Sequence, residues 1–171
     1  RLKLSLENNG QYYIFGKKVS DIVLSKILKR FNFINHELSN DKFNQDVFKK
    51  LFKIKFSHFF HIAALTDLRN NDKSVENLNL VNVVGTQNIL KSLKDVNIKQ
   101  FHFVSSAYVC GNNFGDISDD YIPDNSNFRN YYEKSKLKSE TIFVNFCKIN
   151  NKSFKVYRPS IISGRTIEQP L

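Results

Sequence analysis

Residues 101–111 read FHFVSSAYVCG. Phe101, His102 and Phe103 alternate apolar with polar, and Val104 then runs into Ser105 and Ser106 before Gly111 closes the stretch. Alternation of this kind marks a β-strand, because successive side chains point to opposite faces. The strand is apolar enough to be buried, yet it ends in two hydroxyls. Upstream lies a long helical pattern from Ser74 to Val96, entered through DKSVEN with acidic residues near its start, where the helix dipole favours them. Before it, KFSHFFHIAAL (55–65) reads as a Phe-rich strand running into small residues.

Further upstream, Val19 to Phe31 carries apolar residues at 19, 22, 23, 27, 28 and 31, a helical stripe. FNFIN (31–35) reads as a short strand, and DKFNQDVFKKLFK (41–53) as a helix. Downstream of Gly111 comes an Asn/Asp/Gly-rich loop to Asn127, then a helix over about Tyr131 to Lys148, then a strand in SFKVYRPSII (153–162). Strands alternating with helices at this spacing predict a parallel sheet with crossover helices, an α/β fold. Such sheets bind ligands at the carboxyl ends of their strands. HIAA, SSAY and RPSI are therefore where chemistry is expected.

Composition narrows the class. A chain of 171 residues, 41% hydrophobic and with sixteen Phe, suits one soluble domain with a real core. No apolar run approaches membrane-spanning length, and the N-terminus RLKLSLENNG has no leader-like apolar stretch. The net charge of +10 is mostly Lys, spread along the chain without an Arg-rich helix or RNP-type motif, so a nucleic-acid surface is not expected. Cys110 and Cys147 are too few for a disulfide framework and read as buried spectators in a reducing cytoplasm. With no Met anywhere, the chain reads as a fragment, a single partial domain over 1–171.

Tyr132 and Lys136 stand four apart in YYEKSK, on one face of a helix. A phenol is a weak acid, of pKa about 10 when free, and a neighbouring ammonium favours its phenolate. By itself the pair reads as a solvated helix face, and only its neighbours in the pattern favour chemistry. Ser106 ends the strand that the βα pattern sets beside that helix, where a hydroxyl can hold a carbonyl oxygen. Asn82 lies on the apolar face shared by Leu78, Gly85 and Ile89. It reads either as a structural hydrogen bond between helices or as an amide holding a water or the lysine in a proton relay. His58 and His61 fall on opposite faces of their strand and read as structural, so no metal site is expected. The acidic ISDDYIPD (117–124) reads as a solvated lid.

Taken together, these motifs resemble the extended short-chain dehydrogenase/reductases from about residue 31 onward. The resemblance rests on His61-Ile62-Ala63-Ala64, on Asn82-Val83-Val84-Gly85-Thr86, on Ser106, on Tyr132 with Lys136, and on Arg158-Pro159 through Gly164, in that order. VSSAYVCG, NVVGTQNIL, YYEKSKLKSE and YRPSIISG are most similar to the thioester-reductase branch, which includes fatty acyl-CoA reductases and terminal reductase domains of polyketide synthases. Ser106 stands where that branch often has Thr, and Glu37 stands where it has the Asp of Gly-Asp-Leu.

The resemblance implies a Rossmann-type doubly wound parallel sheet. It also implies that Ser106, Tyr132, Lys136 and Asn82 are catalytic. Cofactor contacts would come from Glu37, Leu38, His61, Ile62, Ala63, Ala64, Ser105, Tyr132, Lys136, Arg158, Pro159, Ser160 and Ile161. The implied cofactor is NADP(H), with NAD(H) as the alternative, and the implied partner is an acyl-CoA or an acyl carrier protein. The family's Gly-x-x-Gly-x-x-Gly loop has no counterpart here, so the first strand and the main phosphate grip are expected to be missing at the N-terminus. A sugar-nucleotide epimerase or dehydratase, and a silent Rossmann binding module, remain the other readings.

Overall fold

The computed structural model describes residues 12–14, 17–29, 37–39, 55–113, 115–118 and 127–161. Contacts divide the chain into two units, Arg1–Asn35 with Ser163–Leu171, and His36–Ile162, where the composition reads as one continuous domain. In the first unit, β1 (Tyr12–Ile14) pairs antiparallel with β2 (Lys17–Val19), with Tyr12 opposite Val19, and α1 (Asp21–Leu28) follows. The helical stripe expected from Val19 thus starts two residues late. Val19 is β-branched and is taken by the strand, while Asp21 suits the positive helix N-terminus. The strand expected at 31–35 and the helix expected at 41–53 lie outside the described residues.

The second unit is a parallel sheet in the order β3 (Phe56–His61), β4 (Ile98–Val104), β5 (Phe154–Tyr157). One crossover consists of α2 (Asp72–Leu78), a π-helical segment (Asn79–Val84) and α3 (Gly85–Leu93); the other contains α4 (Tyr131–Ile149). Phe101 and Phe103 point to one face and are buried with Phe143, Cys147, Ile89, Leu90, Leu93, Val96 and Ile98. Burial pushes the Cys147 thiol up to about 12, which leaves it an inert core residue. Among the described residues no helix is long and apolar enough to cross a membrane.

The uniform helix expected from Ser74 to Val96 begins at Asp72, is interrupted over Asn79–Val84 and ends at Leu93. The interruption has a cause in hydrogen bonding. The Asn82 carbonyl accepts the Thr86 hydroxyl at 2.6 Å and the Ser139 hydroxyl of α4 at 2.7 Å. Side-chain hydroxyls that claim a backbone carbonyl compete with the α-helical ladder, and a one-turn π-bulge is a common result.

Two glycines are required by space. A Cβ on Gly85 would lie 2.9 Å from Leu38 Cβ, and Asn88 Nδ2 donates to the Leu38 carbonyl at 3.2 Å. Gly85→Ala is therefore expected to destabilise the protein by about 1–2 kcal/mol, its gain in helix propensity falling short of the overpacking cost. Urea unfolding at neutral pH measures it, and an unchanged midpoint would contradict the close approach. Gly111 has φ +65°, and a Cβ there would sit 2.5 Å from the Asn127 carbonyl oxygen, which instead accepts Asn112 N–H at 2.9 Å. This contact closes the base of the loop between residues 112 and 127.

Candidate functional site

Because the sheet is parallel, β3, β4 and β5 all end on one edge, and their exits carry the residues singled out in the sequence. Pairing continues past the regular strands: Ser105 N–H donates to the Tyr157 carbonyl at 2.7 Å and Ala107 N–H to the Pro159 carbonyl at 2.9 Å. Ser105, Ser106 and Ala107 therefore lie alongside Tyr157, Arg158 and Pro159. Ser106 caps a short 3-10 turn (Ala107–Cys110), its Oγ accepting the Tyr108 N–H at 3.2 Å. Ser105 Oγ is the one buried side-chain nitrogen or oxygen without a hydrogen-bond partner among the described residues. A buried hydroxyl left so is costly unless a ligand or water completes it, so this strand end fits the polar group that the implied nucleotide would bring.

Lys136 sits on α4 and is 4% exposed, reaching back to donate from Nζ to the Val104 carbonyl at 2.7 Å, with the Phe103 ring 4.7 Å from the ammonium. Burial brings its pKa down to about 8, and the charge of Glu140 one turn later opposes that fall. Tyr132 is half-buried one turn before Lys136. The start of α4 is held by Asn130, whose side chain caps Glu133 N–H at 3.0 Å, and by Glu133, which pairs with Arg129 at 3.0 Å. Tyr131 N–H donates to Asn70 Oδ1 at 3.0 Å and its hydroxyl to Asn79 Oδ1 at 3.3 Å, so this neighbouring tyrosine ties α4 to the other crossover.

The amide of Asn82 is engaged on both sides. Oδ1 accepts Leu65 N–H at 2.7 Å, and Nδ2 donates to the Leu65 carbonyl at 3.0 Å and to Ser135 Oγ at 2.9 Å. These bonds pin the segment after β3 to the crossover and to α4. Lys136 is meanwhile held by Val104. His61 Nε2 meets Thr86 Oγ1 at 2.8 Å. Since that hydroxyl already donates to the Asn82 carbonyl, it accepts here, and the His61 proton belongs on Nε2. His58 faces the other way and meets His102 at 2.9 Å.

Burial first, and then the Lys136 charge, push His61 down to about 4. Between the ordinary 6.5 and about 4 the unfolded chain binds a proton that the folded chain does not. Stability is thus expected to fall as pH drops through that window, by on the order of 3 kcal/mol once it is crossed. Comparing urea unfolding at pH 7 and pH 4 for the wild type and His61→Gln tests this: the variant loses much of the difference. Equal pH sensitivity in both would refute it.

The remaining expected cofactor residues are dispersed. Glu37 is exposed and accepts the Ser39 hydroxyl at 3.0 Å; Leu38 lies under Gly85; Ile62, Ala63 and Ala64 lie open after β3; Ser160 and Ile161 are exposed after β5. Arg158 is engaged by Glu140, with Nη2 2.5 Å from Oε1. Glu140, Ser135 and Ser139 were not singled out in the sequence. The signal for Glu140 was its i+4 spacing from Lys136.

A family model described as male sterility protein, an NAD-binding domain, matches residues 5–170. Comparison with curated proteins gave no match. Among solved structures, the terminal R domain from the myxalamid PKS-NRPS biosynthetic pathway has TM-score 0.71 at 20% identity, over 83% of this chain and 36% of that one. The UDP-glucuronic acid 4-epimerase from Bacillus cereus, in complex with UDP-glucuronic acid and NAD, has TM-score 0.64 at 25% identity, over 80% of this chain and 41% of that one. The UDP-Glc/GlcNAc 4-epimerase from Campylobacter jejuni has TM-score 0.63 at 22% identity, over 81% of this chain and 42% of that one. The chain spans about two-fifths of the length of these structures, and its fold is the Rossmann-type α/β sheet that they share.

Proposed function

Since the chain belongs to the male sterility protein family, in the thioester-reductase branch of the extended short-chain dehydrogenase/reductases, we propose that it is the reaction-bearing part of an NADPH-dependent acyl-thioester reductase. The family match over residues 5–170 carries this reading, and the intact Ser106, Tyr132 and Lys136 support it. The substrate is an acyl chain on CoA or on the pantetheine of a carrier protein, and the setting is the cytoplasm.

A reduced nicotinamide, when bound at the strand exits by residues such as Ser105 and Lys136, would supply hydride for reduction of the thioester carbonyl carbon. Ser106 Oγ already accepts the Tyr108 N–H, which leaves its own proton to donate to the substrate oxygen. Tyr132 transfers its phenolic proton to that oxygen as the hydride arrives. Lys136, charged below about 8, lies one turn away to stabilise the negative charge left on the phenol oxygen and to hold the nucleotide ribose. The resulting hemithioacetal breaks its carbon–sulfur bond, releasing the thiol and an aldehyde. A second hydride and proton would give the alcohol.

A second reading is favoured by the epimerase likenesses: the same hydroxyl, phenol and ammonium oxidising a sugar hydroxyl with NAD. One experiment separates the two. The full-length protein is given NADPH with a long-chain acyl-CoA, and separately NAD with UDP-sugars, while nicotinamide absorbance and products are followed. Thioester-dependent NADPH oxidation with aldehyde or alcohol formed is the expected result. Turnover of UDP-sugars alone would replace the first reading by the second.

A further inference from the structure

Lys136 is a buried cation and Arg158 a half-buried one, and Glu140 lies between their elements. Glu140 is 5% exposed and lies one helical turn after Lys136 on α4. It accepts Arg158 Nε on both oxygens, at 3.2 and 3.3 Å, and Nη2 on Oε1 at 2.5 Å. Arg158 directly follows Tyr157, which pairs in register with Val104, and Val104 is the residue whose carbonyl takes the Lys136 ammonium. Three links therefore close a ring: Lys136 to Val104, Val104 beside Tyr157, and Arg158 back to Glu140. The turn of α4 that carries the lysine is fixed at both ends against the exits of β4 and β5. Arg158 is thereby drawn into the scaffold rather than left to the nucleotide alone.

We propose that Glu140 is a positioning residue for Lys136: through Arg158 it locks that turn of α4 onto the sheet edge, and its carboxylate is the counter-charge that keeps the lysine an ammonium. Buried lysines lose their proton easily, and a nearby anion is what opposes this. The other charged or titratable groups near Lys136 are His61 at the end of β3, Tyr132 and Glu133 on α4, and Arg158 after β5. Of these, Glu133 is already paired with Arg129, and His61 is neutral at neutral pH. Glu140 hydrogen-bonds Arg158 and is the carboxylate whose charge opposes the fall in the Lys136 pKa.

An ion pair that merely braces the fold and one that sets the lysine's charge make different predictions. The two halves of the pair act on Lys136 with opposite sign. Glu140→Gln removes a negative charge and is expected to lower the Lys136 pKa by about one pH unit, whereas Arg158→Gln removes a positive charge and is expected to raise it by a similar amount. The measurement is the pH titration of the Lys136 ε-carbon by NMR in full-length protein carrying 13C-lysine, the resonance assigned by its loss in Lys136→Arg. Opposed shifts support the proposal; shifts in one direction, or none, overturn it. Should Glu140→Gln fail to fold, Glu140→Asp takes its place: drawing the carboxylate back by one methylene is expected to lower the Lys136 pKa by a smaller amount, and an unchanged titration overturns the proposal. The titration needs no cofactor or thioester, so it stands or fails apart from the reductase reading. That reading is needed only for the further expectation that the alkaline limb of kcat moves with the lysine in each variant.

Discussion

Tyr132→Phe is expected to lower kcat for NADPH-dependent thioester reduction by ~10²–10⁴-fold, with little change in nucleotide affinity. The phenol oxygen is the only atom removed. The half-buried ring keeps its place one turn before Lys136, on a helix start held by Asn130, Glu133 and Tyr131 rather than by Tyr132. The loss should therefore appear in the chemical step and not in folding. Pre-steady-state kinetics with a saturating acyl-CoA, and thermal melts of both proteins, give the comparison. Equal kcat in the variant would remove Tyr132 from the proton transfer and the proposed mechanism with it.

Lys136→Met is expected to abolish turnover and yet to make the protein more stable at neutral pH. An ammonium moved from water to a site where its pKa falls from 10.5 to about 8 costs on the order of 3 kcal/mol while it stays charged. Methionine fills similar volume without that cost, but forfeits the charge-assisted bond to the Val104 carbonyl, worth about 1.5–3 kcal/mol. A net gain of up to about 1.5 kcal/mol at pH 7 follows. The sign can be checked against pH. Above about 8 the folded wild type releases its proton while the unfolded chain keeps one up to 10.5, so wild-type stability rises through that window and the advantage of the variant shrinks. Chemical unfolding at pH 7 and pH 9.5 measures both quantities. A variant less stable than the wild type at pH 7 would mean that the ammonium is held by more than its burial suggests.

The parts legible in the sequence are those set by local period. The alternation through Phe101 to Val104, the hydroxyls at its end and the Tyr132–Lys136 spacing all depend on neighbours in the chain. The π-helical segment was not legible, because its cause includes the Ser139 hydroxyl from a distant helix competing for the Asn82 carbonyl. Asn82 itself stood out as a polar residue on an apolar face, but its partner Leu65 is a backbone group in a loop, which no side-chain pattern announces. Arg158 was assigned to the nucleotide because its motif suggested it, while its ion pair with Glu140 depends on how α4 crosses β5. The pairing of β1 with β2 was obscured by the helical stripe from Val19, the stronger periodic signal in that stretch.

The pinch between Gly111 and Asn127 has a consequence for how such a chain can diversify. With the ends of the loop already brought together by the Asn112–Asn127 hydrogen bond, added length between them is charged only the slow logarithmic cost of loop closure. Doubling the segment would cost about 0.6 kcal/mol, less than one ordinary point substitution in a core. The segment follows the turn that Ser106 caps and precedes α4, so insertions there would leave the elements carrying Ser106, Tyr132 and Lys136 in place. Change in the length of one loop would thus leave the parallel sheet and its packing untouched.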